Sequence, residues 1–166
     1  MATISLANSV GAGTHPSRGV RQVPYVVENI VNIASAVTAK GSALAATDVI
    51  EALTVPAQTV ILSAGIEVFS AVTGDALFSL GVTGVSAGAY VATTQVAAAS
   101  AVGSYIASAA AGYPIAIGAT ADTLDLLVGT VTTAISAGKL RVWAVVCDVQ
   151  DRREIEGLSV DRDQLA

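Results

Sequence analysis

The sequence predicts an all-β fold: a β-sandwich of jelly-roll type over residues 24–149, with an extended N-terminal arm at 1–23 and a short polar C-terminal tail at 150–166. Three observations carry this reading. About eight short segments rich in Val, Ile, Thr and aromatic residues are separated by Gly, Pro and Ala turns, the pattern of packed sheets rather than of a helical bundle. The last third alternates apolar and polar residues with the two-residue period of a strand. Both ends break the pattern, the first with glycines and a proline, the second with the polar run "QDRREIEGLSVDRDQLA". Abundant alanine is the main opposing signal, because alanine favours helix.

The arm holds Gly11, Gly13, Pro16 and Gly19, and its charges are Arg18 and Arg21. Such a segment seldom orders by itself and is suited to lying on a neighbour. No signal peptide is expected, since the start lacks a basic region followed by a long apolar run. From Tyr25, "YVVENIVNI" puts Val27, Asn29, Val31 and Ile33 on one side of a strand, with Glu28 and Asn32 on the other. Residues 34–46 form a small-residue connection with room for a helical turn. Asp48–Thr54 reads as a strand, and Pro56 opens a turn. Val60–Val72 reads as a long strand, with Gly65 as its bulge or bend. "TGD" at 73–75 reads as a turn before the strand "ALFSLGV". A loop at 83–88 precedes "AYVATTQV". Gly103–Ala107 reads as a short strand or a surface loop, and "YPIAIGA" as a strand begun by a proline.

In the last third, "DTLDLLVGTV" places Leu124, Leu126 and Val128 on one face and Thr123 and Asp125 on the other. In "TTAISAGKLRVWAVVCDV", Leu140, Val142, Ala144 and Val146 share one face. Lys139, Arg141, Trp143, Val145 and Cys147 share the other, which starts charged and turns apolar. A strand covered on both faces at one end fits a subunit contact. Two segments echo each other, "SAGIEVFSAV" and "SAGKLRVWAVV", each following an Asp-led strand. They suggest two similar halves of one domain.

Composition narrows the function. Only 13% of residues are charged, against 53% hydrophobic. A quarter charged is usual, so the chain has little material for a solvated surface. Apolar exposure on that scale marks an interface. The stretch Gly84–Gly112 is free of charge and long enough to cross a bilayer. Its Ala, Ser, Thr and Gly gain little from lipid, and its flanking charges are Asp75 and Asp122, so no membrane span is expected. The net charge is −5, and no basic cluster stands apart from the acids around Arg152 and Arg153, so direct nucleic-acid binding is not expected.

Catalytic motifs fail on inspection. "GVSAG" at 84–88 matches a nucleophile elbow around Ser86, but the one histidine, His15, lies upstream, and no base follows. "SAGKL" lacks the rest of a phosphate loop. One cysteine and one histidine make no zinc cluster. Within residues 24–149 the closest carboxylates, Asp48/Glu51 and Asp122/Asp125, have a spacing that turns them to opposite faces of a strand. Cys147 reads as a small hydrophobe near a strand end. No enzyme and no cofactor are expected.

The runs "TDVIEALTVPAQTVILSAGIEV", "DTLDLLVG" and "AGKLRVWAVVCDV" resemble small structural proteins of tailed bacteriophages, particularly those of marine and cyanobacterial phages. The likeness covers roughly Tyr25 to Val149 and leaves out both arm and tail. Proteins of that kind look like capsid decoration, or cement, proteins. The resemblance implies a β-sandwich that forms a homotrimer, binds the major capsid protein on the outside of an icosahedral head, and has no catalytic residues. The residues expected at capsid or subunit contacts are Arg18, Arg21, Tyr25, Trp143, Arg152 and Arg153. The alternative is a receptor- or glycan-binding module of a phage fibre or head spike, for which Tyr90, Tyr105 and Tyr113 are the candidate aromatic rings.

Overall fold

The structure is a computed structural model, and it describes residues 1–8, 24–82, 86–95, 101–107, 115–117 and 120–148. The elements are β1 (Thr3–Asn8), β2 (Tyr25–Asn32), α1 (Ile33–Lys40), β3 (Val49–Val55), β4 (Thr59–Val82), β5 (Ser86–Gln95), β6 (Tyr105–Ala107), β7 (Ile115–Ala116) and β8 (Asp122–Asp148). Among the described residues the fold is all-β, as the alternation predicts, with one short helix.

Two strands organise everything else. β4 has 24 residues and β8 has 27. They run antiparallel from Thr59 opposite Asp148 to Val82 opposite Leu124. At one end β2 adds to the free edge of β8, while β6 and β7 add to that of β4. We call this the β2 half. At the other end β3 adds to β8, β1 adds parallel to β3, and β5 adds to β4. This is the β3 half.

The separate strands expected on either side of "TGD", and the separate segments "DTLDLLVGTV" and "TTAISAGKLRVWAVVCDV", are thus two continuous strands. Thr73 pairs with Ala137 and Asp75 with Thr133, so the chain does not reverse at either place. The signal was real but its meaning differed. Four of the register shifts between β4 and β8 fall between Val68 and Ala76. Each extra residue bends and twists the ribbon. The bend carries β4 and β8 from one half into the other.

The two halves enclose one core. Ile61, Ala64, Ile66, Val68, Leu140, Val142, Ala144 and Val146 from the β2 half join Ile50, Leu53, Phe78, Leu80, Leu124 and Leu126 from the β3 half in a single buried cluster. At about 25 cal/mol per Å² of apolar surface removed from water, this burial is the main stabilising term.

A polar link crosses the core. The Asn29 side-chain amide on β2 donates to Leu6 O at 3.0 Å and to Ala52 O at 2.7 Å. Both acceptors lie where a ladder is interrupted, between Ser5 and Asn8 in β1 and between Glu51 and Leu53 in β3. Irregular pairing turns carbonyls out of the ladder, and a buried carbonyl left unpaired is costly. Asn29 satisfies both from the facing half, which explains a polar residue among Val27 and Val31.

Most of α1 falls in the expected connection 34–46, but the helix begins at Ile33, which alternation places in the strand. Asn32 caps its start by accepting from Ala34 N at 3.0 Å, and Gly41 N closes its end on Val37 O and Thr38 O. Ile33 and Ala36 turn into the core. Beyond the helix, Asp48 is buried and gathers three elements. It accepts from Ala2 N and from Ala45 N, each at 2.9 Å, and from Lys40 Nζ. Burial pushes the Asp48 carboxyl up. The hydrogen bonds from Lys40, Ala45 and Ala2, with the Lys40 charge, outweigh it and hold its pKa below the ordinary carboxylate value. Ala2 and Thr3–Asn8, part of the expected arm, are therefore tied to the body.

Candidate subunit-contact surface

The outer face of the β2 half is built by strand alternation. With Val27, Asn29 and Val31 turned inward, Val26, Glu28 and Ile30 face out. The register sets them beside Val145, Trp143 and Arg141 of β8, which in turn stand beside Ser63, Gly65 and Glu67 of β4. The face that the sequence assigns to Lys139, Arg141, Trp143, Val145 and Cys147 is thus the outer one, and Cys147 is half-buried at the strand end.

Arg141 holds three strands together. Its Nε donates to Glu28 Oε2 at 2.9 Å, its Nη2 also reaches Glu28, and its Nη1 donates to Glu67 Oε2 at 2.9 Å. These hydrogen bonds raise the Arg141 pKa, so the guanidinium stays charged at any relevant pH. Two acids on one base leave the triad with an excess negative charge, and Glu28 is the more open of the two acids.

Apart from this triad, Ser63 and Lys139, the face is largely apolar. Apart from Met1, every exposed large hydrophobic among the described residues belongs to this half: Val26 is 61% exposed, Ile30 44%, Leu62 38%, Phe69 49% and Val102 62%. Leu62 and Phe69 sit at irregularities. The register passes from Ile61 to Ser63, and from Val68 to Ser70, against consecutive residues of β8. The extra residue lets Ile61 and Ala64 both point inward and pushes Leu62 out. Gly103 N bonds Val68 O at 2.8 Å, which brings the Val102 turn beside Phe69. A one-sided apolar surface of this kind on a domain with few charges is the mark of an interface.

The outer face of the β3 half differs. Glu51 is cross-strand from Asp125, and with Asp122, Thr123, Val49, Thr3 and Met1 they line a cavity of about 300 Å³. Thr123 Oγ1 donates to Asp125 Oδ1 at 2.7 Å. The spacing separates Asp48 from Glu51, but Asp122 and Asp125 line the same cavity despite theirs, and pairing of β3 with β8 adds Glu51 to them. No metal-binding group of three or more His, Cys, Asp or Glu side chains occurs among the described residues.

Of the expected contact residues, Trp143 is half-buried on the outer face, its ring lying over Gly65. Tyr25 takes the other side of the same half: it pairs with Val146 and packs partly buried against the core. The structure therefore does not bring these two together. Arg18, Arg21, Arg152 and Arg153 lie outside the described residues, as do His15 and Tyr113. Ser86 opens β5 opposite Val82, in a strand rather than at a strand-to-helix turn. Tyr90 is buried and cannot offer a ring to a sugar. No helix among the described residues is long and apolar enough to cross a membrane.

The Glu28–Arg141–Glu67 triad escaped the sequence reading, because it depends on register across three strands. The apolar face left a trace: Val26 and Ile30 occupy the supposed solvent side of "YVVENIVNI".

No family model matches the chain, and no curated protein matches it. Solved structures do. A chain of the "Acidic stable capsid structure of Helicobacter pylori bacteriophage KHP30" is 16% identical, with a TM-score of 0.47, and the match covers 80% of this chain and 97% of that one. A chain of the "Cyanophage Pam1 capsid asymmetric unit" is 18% identical, with a TM-score of 0.58, over 84% of this chain and 94% of that one. This chain thus shares its fold with a chain found in a cyanophage capsid.

Proposed function

We propose that this protein is a structural component of a phage virion. It assembles as a homotrimer, binds the outside of an icosahedral head, and bridges and stabilises neighbouring capsid subunits. The observation that carries the reading is the conjunction of a fold shared with a capsid chain and a single apolar outer face on the β2 half. A protein that binds only the assembled shell stabilises that shell by mass action. Three linked copies need only modest affinity each. In this reading the face of Val26, Ile30, Leu62, Phe69 and Trp143 seats on the major capsid protein, with the Glu28 side of the ion triad meeting a basic group there. The buried Tyr90, the strand position of Ser86 and the capsid fold favour a structural role over sugar binding or hydrolysis.

The test uses empty heads of the phage and the purified protein. Light scattering over a hundredfold dilution is expected to give three times the chain mass of 16.5 kDa. The exposed substitutions Ile30→Asp and Phe69→Asp are expected to leave that mass and the fold unchanged and to weaken head binding about tenfold or more each. Undiminished binding by both variants would remove the face from the proposal. A monomer at every concentration would remove the trimer.

A further inference from the structure

β1 is held by a recognition site rather than by a short connection. The β2-to-α1 junction has no intervening residue, and β3 joins β4 through residues 56–58. β1 joins β2 through residues 9–24, which at about 3.3–3.6 Å per residue reach up to about 53–58 Å. Connections of that length are uncommon inside a compact domain. Within one copy this one also has to pass from Asn8, beside Leu53 in the β3 half, to Tyr25, beside Val146 in the β2 half.

What holds β1 is a groove that reads an extended backbone. Thr3, Ile4 and Ser5 pair in parallel with Val49, Ile50 and Glu51. Asp48 accepts from Ala2 N, and Val49 N donates to Ala2 O at 2.8 Å. Ile4 is buried in the core between these anchors, and Asn29 fastens the far end through Leu6 O. Strand addition with a polar clamp at each end and one apolar socket is a mode of peptide capture. Every part of the clamp belongs to the body from β2 onward. It fits the β1 of any copy equally well, so exchange between copies costs little.

We propose that β1 is exchanged in the assembled protein, the Thr3–Asn8 strand of one copy occupying the β3 edge of its neighbour. The inference rests on the oligomer proposed above and assigns its copy-to-copy contact to the β3 half. That leaves the apolar face of the β2 half for the shell. Exchange turns a side-by-side contact into a threaded one, which separates only when a strand is pulled from its sheet.

Ser5 and Glu51 are directly paired and both face outward. Neighbouring strands stand about 4.8 Å apart, within disulfide reach. Full-length protein carrying Ser5→Cys and Glu51→Cys in a Cys147→Ala background is oxidised and run without reductant. Exchange predicts covalently linked multimers that collapse to single chains on reduction. As a second arm, the two cysteine substitutions are placed on separate chains of different size and co-expressed. Exchange then predicts a disulfide-linked pair of unequal chains. An intrachain disulfide in single chains, or no disulfide in either arm, would overturn the exchange. Light scattering before oxidation separates the two proposals: a trimer with intrachain disulfides defeats the exchange alone, whereas a monomer defeats the oligomer.

Discussion

Gly65 shows how one position is fixed by its neighbours across the sheet. A Cβ there would lie 2.7 Å from Ile106 O and 2.7 Å from Trp143 Cζ2. The first neighbour is backbone in β6, and the second is a ring seated over the strand. Gly65→Ala therefore has to tilt the indole and shift the β6 edge, at an expected cost of about 1–3 kcal/mol. The check is a urea midpoint read by the fluorescence of Trp143, the sole tryptophan. A red-shifted native emission should accompany the loss, and an unchanged midpoint would show that the ring does not rest there. The sequence reading found this glycine but gave it the wrong task. It expected a bulge or bend at Gly65, whereas Gly65 pairs regularly with Trp143 and the nearest extra residue is Leu62. A bulge is a mismatch between two strands, so its place cannot be read from one of them.

The same limit governs the elements. Period-two alternation made β2, β3, β5 and most of β4 and β8 legible, since it reflects which side chains enter the core. Continuity was not legible. Glycine beside Thr and Asp signals a departure from regular strand, and a turn and a bend share that signal. Here it is a bend, with Gly74 at φ +101° and Gly138 at φ +123°. The echo between residues 63–72 and 136–146 also has a physical source. The segments are sheet neighbours with the same in-and-out pattern, Ala64 opposite Ala144 and Ile66 opposite Val142. The bend yields a prediction about packing as well as backbone. At Gly138 a Cβ would meet Val72 Cα at 2.6 Å, while at Gly103, also at positive φ, it would meet nothing within 4 Å. Gly103→Ala should cost only the backbone strain, about 1–3 kcal/mol. Gly138→Ala should cost clearly more in the same urea series. Equal losses would mean that β4 and β8 are not crowded at the bend.

For the whole molecule, composition said that a surface was missing but not which one. Low charge pointed to burial against other chains, and among the described residues the exposed large hydrophobics other than Met1 gather on the β2 half, where Val26, Ile30, Leu62 and Phe69 meet only after folding. Alternation assigns Trp143 to that face and, by setting Tyr25 on the side of Val27 and Val31, separates Tyr25 from it. Asp48 was legible only as a carboxylate with a badly placed partner. Its role as the junction of β1, α1 and β3 depends on Lys40, Ala45 and Ala2 converging on it in space. That junction makes the fold sensitive to acid. Because the folded pKa of Asp48 lies below its unfolded value, the carboxylate stabilises the native state above about pH 4. The contribution fades as pH falls from there through the folded pKa. Asp48→Asn should cost about 1–3 kcal/mol at pH 7, because it leaves Lys40 and the backbone donors poorly satisfied. The gap between wild type and variant should stay constant from pH 7 to about pH 5 and narrow below about pH 4. Urea midpoints for both proteins across that range measure it. A gap that does not narrow at all between pH 5 and pH 3 would mean that the carboxylate charge contributes nothing to this junction. A gap that narrows would identify the junction of β1, α1 and β3 as what acid loosens.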